Sequence, residues 1–421
     1  MTPSSFGTTA AFLLYLAGMM AIGLFHSRRQ KSMADYILGS RTLGSWVTSM
    51  SAEAADMSGW LMMGLPGFAY VAGAKAGYCV VLGLKDGRLT EELLRQTELL
   101  VIGSGPGGYA AAFRAADLGM DVSLVDPAPR PGGVCLYKGC IPSKTFLFLA
   151  ELIFDAERAG AMGLSFGPPK IDLAGLRRWK AEVIEKMAGG LMSLTQRRGV
   201  QLINGRAEFE SSESVRVHDA EISRIRFRHA IIATGSKPIP FPGTDFTAGR
   251  RIMSSTGALA LADVPASLLV LGGGYVGLEL GTVYAALGSR VSVVELQDRL
   301  LPGVDPDLVD PLQRRLQSIF ADIRLNTRVQ QLREDEGGVS VHLEADGAPS
   351  EQRFDRVLVA IGRKPATQGL GLERTRVQMD AKGFIRVDEQ RRTTDARIFA
   401  VGDAVGGMML AHKASYEGKV A

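Results

Sequence analysis

One pattern occurs twice in this sequence of 421 residues: an apolar strand, a G-x-G-x-x-G loop, a helix, a second apolar strand and an acidic residue at its end. The first copy begins at residues 99–102 and the second at residues 267–271. The glycines and closing acids are Gly103, Gly105, Gly108 and Asp126 in the first copy, and Gly272, Gly274, Gly277 and Glu295 in the second. This alternation predicts doubly wound parallel sheets, so the expected fold class is α/β with two Rossmann-like nucleotide-binding domains.

The spacing within each copy is typical of a dinucleotide site. The first glycine allows a tight turn, the second lets the backbone approach a pyrophosphate, and the third lets the helix pack on the strand. The closing acid accepts a hydrogen bond from a ribose hydroxyl. Because Glu295 would repel a 2′-phosphate, the second site is predicted to bind NAD rather than NADP.

Two of the three cysteines lie five residues apart, where a glycine-rich loop runs into a predicted helix start. A helix N-terminus and the nearby Lys144 both favour a thiolate at Cys140. A structural disulfide or half of a zinc site are the alternatives for Cys135 and Cys140. Their position just after the first nucleotide fingerprint favours a redox dithiol, and no metal site is predicted.

From about residue 96 to its end, the chain resembles the pyridine nucleotide-disulfide oxidoreductases, most closely the dihydrolipoamide dehydrogenases. Besides the two fingerprints, the resemblance rests on motifs at residues 139–144, 232–236, 359–365, 398–403 and 410–414. Val134, Tyr137 and Lys138 depart from the Thr and the Asn-Val that are commonest at these positions.

The resemblance implies FAD at the first fingerprint and NAD at the second. It assigns cofactor contacts to Gly103, Gly105, Gly108, Asp126, Gly133, Lys144, Ala207, Thr234, Gly235, Ser236, Gly272, Gly274, Gly277, Glu279, Glu295, Val329, Gly362, Asp403, Met409, Leu410, Ala411 and His412. It also implies that Lys144 pairs with Glu279 beside the two catalytic cysteines.

The implied reaction passes electrons from dihydrolipoamide, free or on a lipoyl-bearing carrier protein, through Cys135 and Cys140 and FAD to NAD. Cys135 is the sulfur that exchanges with substrate, and Cys140 is the sulfur nearer the flavin. A glutathione or mercuric reductase-like enzyme is the alternative within this class.

The family uses a His-Pro and a Glu near the C-terminus as the base for the substrate thiols, within the domain that forms the homodimer. None of the five histidines here precedes a proline, and the chain ends at Ala421. We therefore expect the C-terminal dimerisation domain to be missing and the activity to be impaired.

The N-terminal region has a different character. Residues 7–25 carry no charge and are long enough to span a bilayer core, and basic residues follow but do not precede them. This predicts a transmembrane helix with its N-terminus outside. A signal peptide and a buried soluble helix are the alternatives.

Residues 1–73 also resemble the start of a sodium/solute symporter of the sodium/proline type, through residues 35–44 and 55–67. In that family the second stretch lies in a broken helix near the sodium site, where Ser58 would coordinate the ion. Because so few helices are present, transport is not expected, and a non-functional transporter fusion fragment is the alternative reading of the whole chain. Glu53 and Asp56 disfavour a second span, so the enzyme part is expected to be cytoplasmic, with a possible tether through residues 7–25.

The predicted domains are a symporter-like segment (1–73), a junction (74–95), an FAD domain (96–247), an NAD domain (248–366) and a central FAD-contact segment (367–421). Residues 85–92 are expected to form a turn and a polar helix or linker. A helix is expected at residues 170–198, and antiparallel strands at residues 200–217 and 323–343. The net charge of +4 is spread without a basic block, so no nucleic-acid partner is expected.

Overall fold

A computed structural model describes residues 78–85, 88–247, 249–345 and 347–421. The chain divides into two compact units, Met1–Val80 and Val81–Ala421, and nearly all of the described residues belong to the second unit. The predicted membrane helix at residues 7–25 and the symporter-like segment at residues 1–73 lie outside the described residues. Within the part that is described, no helix is long and apolar enough to cross a membrane.

The first nucleotide fingerprint follows a central strand of a largely parallel sheet. The strands of this half of the chain are β1 (Tyr78–Lys85), β2 (Arg88–Ile102), β3 (Val122–Asp126), β4 (Gln201–Asn204), β5 (Arg206–Ser211), β6 (Ser214–His218), β7 (Arg224–Ile232) and β8 (Ser236–Pro238). The sheet runs in the order β4-β3-β2-β7-β6-β5. Strand β2 is parallel to both β3 and β7, so the strand before the first glycine loop is central and its side chains are buried on both faces.

Four helices belong to this half of the chain. They are α1 (Pro106–Asp117), α2 (Gly133–Lys138), α3 (Cys140–Arg158) and α4 (Leu173–Arg197). Helix α4 confirms the helix predicted at residues 170–198. It returns the chain to the same end of the sheet, so β4 pairs parallel to β3, and the prediction that residues 200–217 are antiparallel throughout is correct only for β5 and β6.

The second fingerprint belongs to a parallel sheet of five strands in the order β12-β11-β10-β16-β9. The remaining strands are β9 (Ile252–Met253), β10 (Ser267–Leu271), β11 (Arg290–Val294), β12 (Asp322–Arg324), β13 (Thr327–Asp335), β14 (Gly338–Ala345), β15 (Ala348–Phe354), β16 (Arg356–Val359), β17 (Arg363–Pro365) and β18 (Ile398–Ala400). The antiparallel prediction for residues 323–343 holds for β13 and β14 but not for β12, which is parallel to β11 after the helical crossover.

The helices of this second half are α5 (Ser255–Ala260), α6 (Tyr275–Ala286), α7 (Pro306–Ile319) and α8 (Ala411–Val420). Short 3₁₀ turns occur at Ala159–Met162, Leu372–Arg374 and Gly402–Val405. Helix α6 follows the second glycine loop directly, and α7 connects β11 to β12. The doubly wound α/β prediction is thus confirmed for both sheets.

The last segment of the chain returns to the first sheet. Strand β18 pairs parallel with β7, and α8 packs on α1 so closely that a Cβ on Gly418 would lie 2.3 Å from the carbonyl oxygen of Gly107. The buried Glu417 carboxylate accepts a hydrogen bond from the backbone N–H of Gly402 at 2.8 Å. These contacts fix Gly402 to α8 and α8 to α1, the helix that follows the first glycine loop.

The structure corrects the prediction for the junction. Residues 88–92, which lie within the stretch expected to form a turn and a polar helix or linker, belong to β2. Residues 94–97 pair with residues 224–227 of β7, so the strand extends well before the apolar run that identified it. Pairing with a long neighbouring strand supplies backbone hydrogen bonds that the polar composition of this stretch does not reveal.

Candidate functional site

Only glycine fits at two positions of the first glycine loop. Gly103 has φ +100°, and a Cβ there would lie 2.3 Å from the carbonyl oxygen of Ala233. A Cβ on Gly108 would lie 1.7 Å from the carbonyl oxygen of Gly103. These contacts seat the N-terminus of α1 tightly between β2 and β7.

Gly105 differs from these two glycines because it faces open space. It is the N-cap of α1, and the nearest atom to a Cβ there would be the Cα of Gly133, at 3.9 Å. Gly274 is the N-cap of α6, and a Cβ on it would likewise have no atom within 4 Å. Each second glycine therefore leaves room at a helix N-terminus, where unpaired N–H groups and the helix dipole favour a phosphate.

The two closing acids make matching hydrogen bonds to their own loops. Asp126 accepts from the N–H of Ser104 at 2.6 Å and from the N–H of Ala128 at 2.8 Å. Glu295 accepts from the N–H of Gly273 at 2.6 Å and from the N–H of Gln297 at 2.8 Å. Since a carboxylate has about four acceptor positions, each acid retains capacity for a ribose hydroxyl while it also shapes its loop.

The two cysteines lie on consecutive helices. Cys135 is in α2, and Cys140 is the first residue of α3, with Gly139 as the N-cap. Both are half-buried, and neither is in a disulfide in this structure. The pKa of the Cys140 thiol is lowered to about 6, chiefly by the hydrogen bond with Cys135 and also by the positive charge of Lys144. The hydrogen bond with Cys140 and burial raise the pKa of Cys135. Cys140 is therefore the sulfur that carries the thiolate.

Lys144 and Glu279 meet, as the resemblance implied. The Lys144 Nζ lies 2.6 Å from Oε1 of Glu279, and the Ser143 hydroxyl donates to Oε2 of Glu279 at 3.2 Å. This contact joins α3, which carries Cys140, to α6, which follows the second glycine loop. A charge pair one helical turn from Cys140 thus links the two nucleotide-binding halves.

We expect Lys144→Gln to raise the pKa of Cys140, because the ammonium stabilises the thiolate. Glu279→Gln should lower that pKa, because its carboxylate destabilises the same thiolate. The measurement is the pH dependence of iodoacetamide alkylation at Cys140, followed by peptide mass spectrometry in a Cys135→Ser background. Shifts of the same sign in both variants would contradict this electrostatic account.

A second network lies where the two halves and the last segment meet. Arg363 donates from Nε to the Ser236 hydroxyl at 2.7 Å and from a terminal nitrogen to the Ser236 carbonyl oxygen at 2.8 Å. The Ser236 hydroxyl in turn donates to Oδ2 of Asp403. Asp403 is therefore oriented by residues of β8 and β17, which are far from it in the sequence.

One cavity of about 900 Å³ connects the first loop, the two cysteines and this network. The predicted site residues that line it are Gly103, Gly105, Asp126, Gly133, Cys135, Cys140, Lys144, Ala207, Thr234, Gly235, Ser236, Glu279, Asp403, Met409 and Ala411. Its volume is near the upper end of the range for ligand pockets. Its lining is mainly apolar, and a few polar side chains face the same space, as is typical of a site for a cofactor.

The cavity fits FAD. Thr234 lines it, and the Thr234 hydroxyl is buried without a hydrogen-bond partner among the described residues. The hydroxyl of Ser104, in the first glycine loop, is also buried without such a partner, although Ser104 does not line the cavity. Buried hydroxyls are normally satisfied, so a ligand oxygen or nitrogen is the natural partner for Thr234. The open helix N-terminus at Gly105 provides a place for the pyrophosphate.

Other predicted residues do not line this cavity. They are Gly108, Gly272, Gly274, Gly277, Glu295, Val329, Gly362, Leu410 and His412. Gly108 and Gly277 act in packing, since a Cβ on either would clash with the carbonyl oxygen of the first glycine of its loop. His412 is exposed at the start of α8, whereas its neighbour Ala411 lines the cavity.

Two of the lining residues that the sequence analysis did not predict make contacts that shape the site. Arg363 lies within the motif at residues 359–365, but its role follows only from its contact with Ser236. Tyr275 follows Gly274 directly, and its hydroxyl donates to the carbonyl oxygen of Met409 at 3.1 Å. Both contacts join segments that are more than 120 residues apart in the chain, so no local pattern indicated them. No group of three or more His, Cys, Asp or Glu side chains able to hold a metal ion occurs in the described ranges.

Comparison with protein families gives two matches. The model of the pyridine nucleotide-disulphide oxidoreductases matches residues 97–418. The model of the sodium:solute symporter family matches residues 36–84. The first match contains every residue of the cavity, and the second lies largely outside the described residues.

Individual relatives agree with the first match. A dihydrolipoyl dehydrogenase from Vibrio cholerae is 43% identical over 328 residues, which are 77% of this chain and 69% of the relative. A dihydrolipoyl dehydrogenase from Geobacillus stearothermophilus is 43% identical over 327 residues, with the same shares covered. Among solved structures, the HOCl-induced flavoprotein disulfide reductase RclA from Escherichia coli, in its Cu(II) complex, superposes with a TM-score of 0.67 at 29% identity, covering 77% of this chain and 69% of that one.

Proposed function

Because the chain belongs to the pyridine nucleotide-disulphide oxidoreductase family, we propose that it is an FAD-dependent dithiol-disulfide oxidoreductase that passes electrons from dihydrolipoamide to NAD. The observation that carries this proposal is the arrangement of one cavity. There a phosphate-binding helix N-terminus, a dithiol and the Lys144–Glu279 pair occur together.

The chain uses FAD and NAD as cofactors. When bound, FAD supplies two-electron transfer between the dithiol and NAD, which is chemistry that protein side chains do not provide. The residues proposed to hold FAD are Gly105 and Asp126 at its pyrophosphate and ribose, and Thr234 and Asp403 elsewhere along the cavity. Gly274 and Glu295 have the corresponding roles for NAD.

Cys135 and Cys140 perform the thiol-disulfide exchange. A thiolate of the dihydrolipoyl substrate attacks Sγ of Cys135, the protein disulfide breaks, and Cys140 leaves as a thiolate. The second substrate thiol then displaces Cys135 from the mixed disulfide. The substrate becomes a disulfide, the protein disulfide is reduced to two sulfhydryl groups, and the two electrons now reside on the protein.

The pKa of Cys140 makes it the better leaving group of the two sulfurs. A thiol with a low pKa leaves more readily, and Cys140 has the lowered pKa while that of Cys135 is raised. Lys144 stabilises the departing charge, and Glu279 with Ser143 holds the ammonium in place. This asymmetry directs the substrate to Cys135.

We expect the full chain to bind FAD and to retain it after desalting, because the glycine loop, Asp126 and Thr234 are all in place. Absorbance of the desalted protein measures this, and a folded but colourless protein after incubation with excess FAD would contradict the cofactor site.

Dihydrolipoamide is then expected to reduce the protein disulfide faster than reduced glutathione does, as measured in a single turnover by the thiols on the protein after the small-molecule reductant is removed. The 43% identical relatives named dihydrolipoyl dehydrogenase favour this substrate. A preference for glutathione would instead indicate a glutathione reductase-like enzyme.

Further proposals concern transport, membrane attachment and oligomeric state. We infer that the symporter-like residues 36–84 do not confer transport, because the matched part of that family is short. A membrane tether and a family-type homodimer are proposals that membrane fractionation and sedimentation of the full chain would test.

A further inference from the structure

The cations that line the cavity fall into two groups. They are Arg130, Lys138, Lys144, Arg206, Lys237 and Arg363. Four of them are engaged by other side chains: Arg130 with Glu185, Lys144 with Glu279, Arg206 with Asp219, and Arg363 with Ser236. Within the described ranges, the side chains of Lys138 and Lys237 have neither an ion pair nor a hydrogen bond. These two lysines therefore present uncompensated charge to the cavity.

Lys138 is the one of the two that lies on the element of the dithiol. It is the last residue of α2, three positions after Cys135. Residues three apart on a helix share a face, with their Cβ atoms about 5–6 Å from each other. Lys138 is exposed and Cys135 is half-buried, and both line the cavity. Lys237 lies on β8, which carries no cysteine.

We propose that Lys138 is a specificity-determining residue, which gives exchange at Cys135 a preference for dithiol or disulfide substrates that carry a negative charge near the sulfur. This rests on the proposed function, in which Cys135 is the sulfur that meets the substrate. Lys138 stands where the family most commonly has valine, so the preference belongs to this chain rather than to the family.

The physical basis is an unpaired charge at the approach to the sulfur that exchanges with substrate. An isolated ammonium raises the local concentration of anions and stabilises their encounter with the site, and salt weakens this effect. Lys144 also acts on the two sulfurs, but its ammonium is held by Glu279 at 2.6 Å, whereas the ammonium of Lys138 has no such partner among the described residues. Lys138 takes no part in bond making. It neither donates nor accepts a proton in the exchange.

Alkylation of Cys135 by a charged and a neutral reagent tests this charge. In the full chain with Cys140→Ser, the rates of modification by iodoacetate and iodoacetamide are measured at Cys135 by peptide mass spectrometry, which separates it from Cys79. Both reagents need the thiolate, so the ratio of the two rates cancels the thiolate fraction and reports the local potential. Lys138→Met is expected to lower the iodoacetate-to-iodoacetamide ratio by about threefold at low salt, since charges about 6 Å apart in water interact by roughly the thermal energy.

Three controls sharpen the result. Lys138→Arg should preserve the ratio, and high salt should remove the difference between Lys138→Met and its parent. Lys237→Met should leave the ratio unchanged. An unaltered ratio in Lys138→Met, or a fall in Lys237→Met instead, would overturn the proposal.

A second measurement separates this proposal from the proposed function. The disulfide form of the chain with both cysteines is reduced by dihydrolipoate, which is anionic, or by dihydrolipoamide, which is neutral. Faster reduction by dihydrolipoate, lost in Lys138→Met, supports the substrate class. If neither dithiol reduces the disulfide, the proposed function fails, and the alkylation ratio still decides whether Lys138 controls the charge at Cys135. Equal rates with the two dithiols in the parent chain would refute the preference.

Discussion

Replacing Cys140 with serine is expected to abolish electron transfer from a dithiol to NAD. No protein disulfide can then form, and the residue with the lowered pKa, which is the leaving group for exchange, is lost. We expect turnover to fall by roughly 10³-fold or more, as for the loss of other essential nucleophilic or leaving groups. The FAD-loaded variant should also lack the long-wavelength absorbance that a thiolate beside an oxidised flavin produces.

Cys135→Ser is the matched control, because it removes the other sulfur of the same pair. Electron transfer should again be lost, but the thiolate of Cys140 remains, so the long-wavelength band should be present without any reductant. If Cys135→Ser abolishes the band and Cys140→Ser retains it, the roles of the two sulfurs are reversed.

The second large effect is expected at the first glycine loop. Gly103→Ala places a Cβ 2.3 Å from the carbonyl oxygen of Ala233, at a residue with φ +100°. The atom in the way belongs to the backbone of the strand-to-loop junction after β7, so β2 and β7 must move apart. We expect a loss of stability of about 4 kcal/mol or more, together with loss of FAD retention. Urea unfolding and absorbance after desalting measure the two effects.

Gly119→Ala separates backbone strain from crowding. Gly119 also has a positive φ, +87°, but no atom lies within 4 Å of a Cβ there. It follows α1 and takes no part in the cavity, so only the left-handed backbone is strained, at about 1–2 kcal/mol. FAD retention should survive in this variant. Equal losses of stability in Gly103→Ala and Gly119→Ala would show that the close approach to Ala233 contributes nothing.

Much of the site could be predicted because its chemistry is local in the sequence. The strand, glycine loop and helix at residues 99–117 follow from apolar runs and from glycines that permit a positive φ at Gly103. Cys135, Cys140 and Lys144 lie within ten residues of one another, and the helix start predicted beside the cysteines is found at Cys140. The Lys144–Glu279 pair spans 135 residues, and it was predicted only through the resemblance.

The predictions that failed concern pairing between strands. Residues 88–92 read as polar and were expected to be helix or linker, yet they belong to β2, whose residues from Leu94 onward form a ladder with β7. Strands β4 and β12 were expected to be antiparallel like their neighbours in sequence, but each follows a helical crossover and joins a parallel sheet. Strand pairing depends on which partner lies alongside, and a single segment does not carry that information.

The sequence by itself determined the fold class, the two nucleotide loops and the identity of the dithiol, because periodicity, glycine conformational freedom and helix capping act within a few residues. Only the tertiary structure decided how Asp403 is held and which cations of the cavity lack a partner. The Arg363–Ser236–Asp403 network spans 127 and 167 residues, and it forms only when β8, β17 and the segment after β18 come together. Lys138 is likewise uncompensated only because the folded chain brings acidic partners to Lys144 and Arg130 but, among the described residues, none to it.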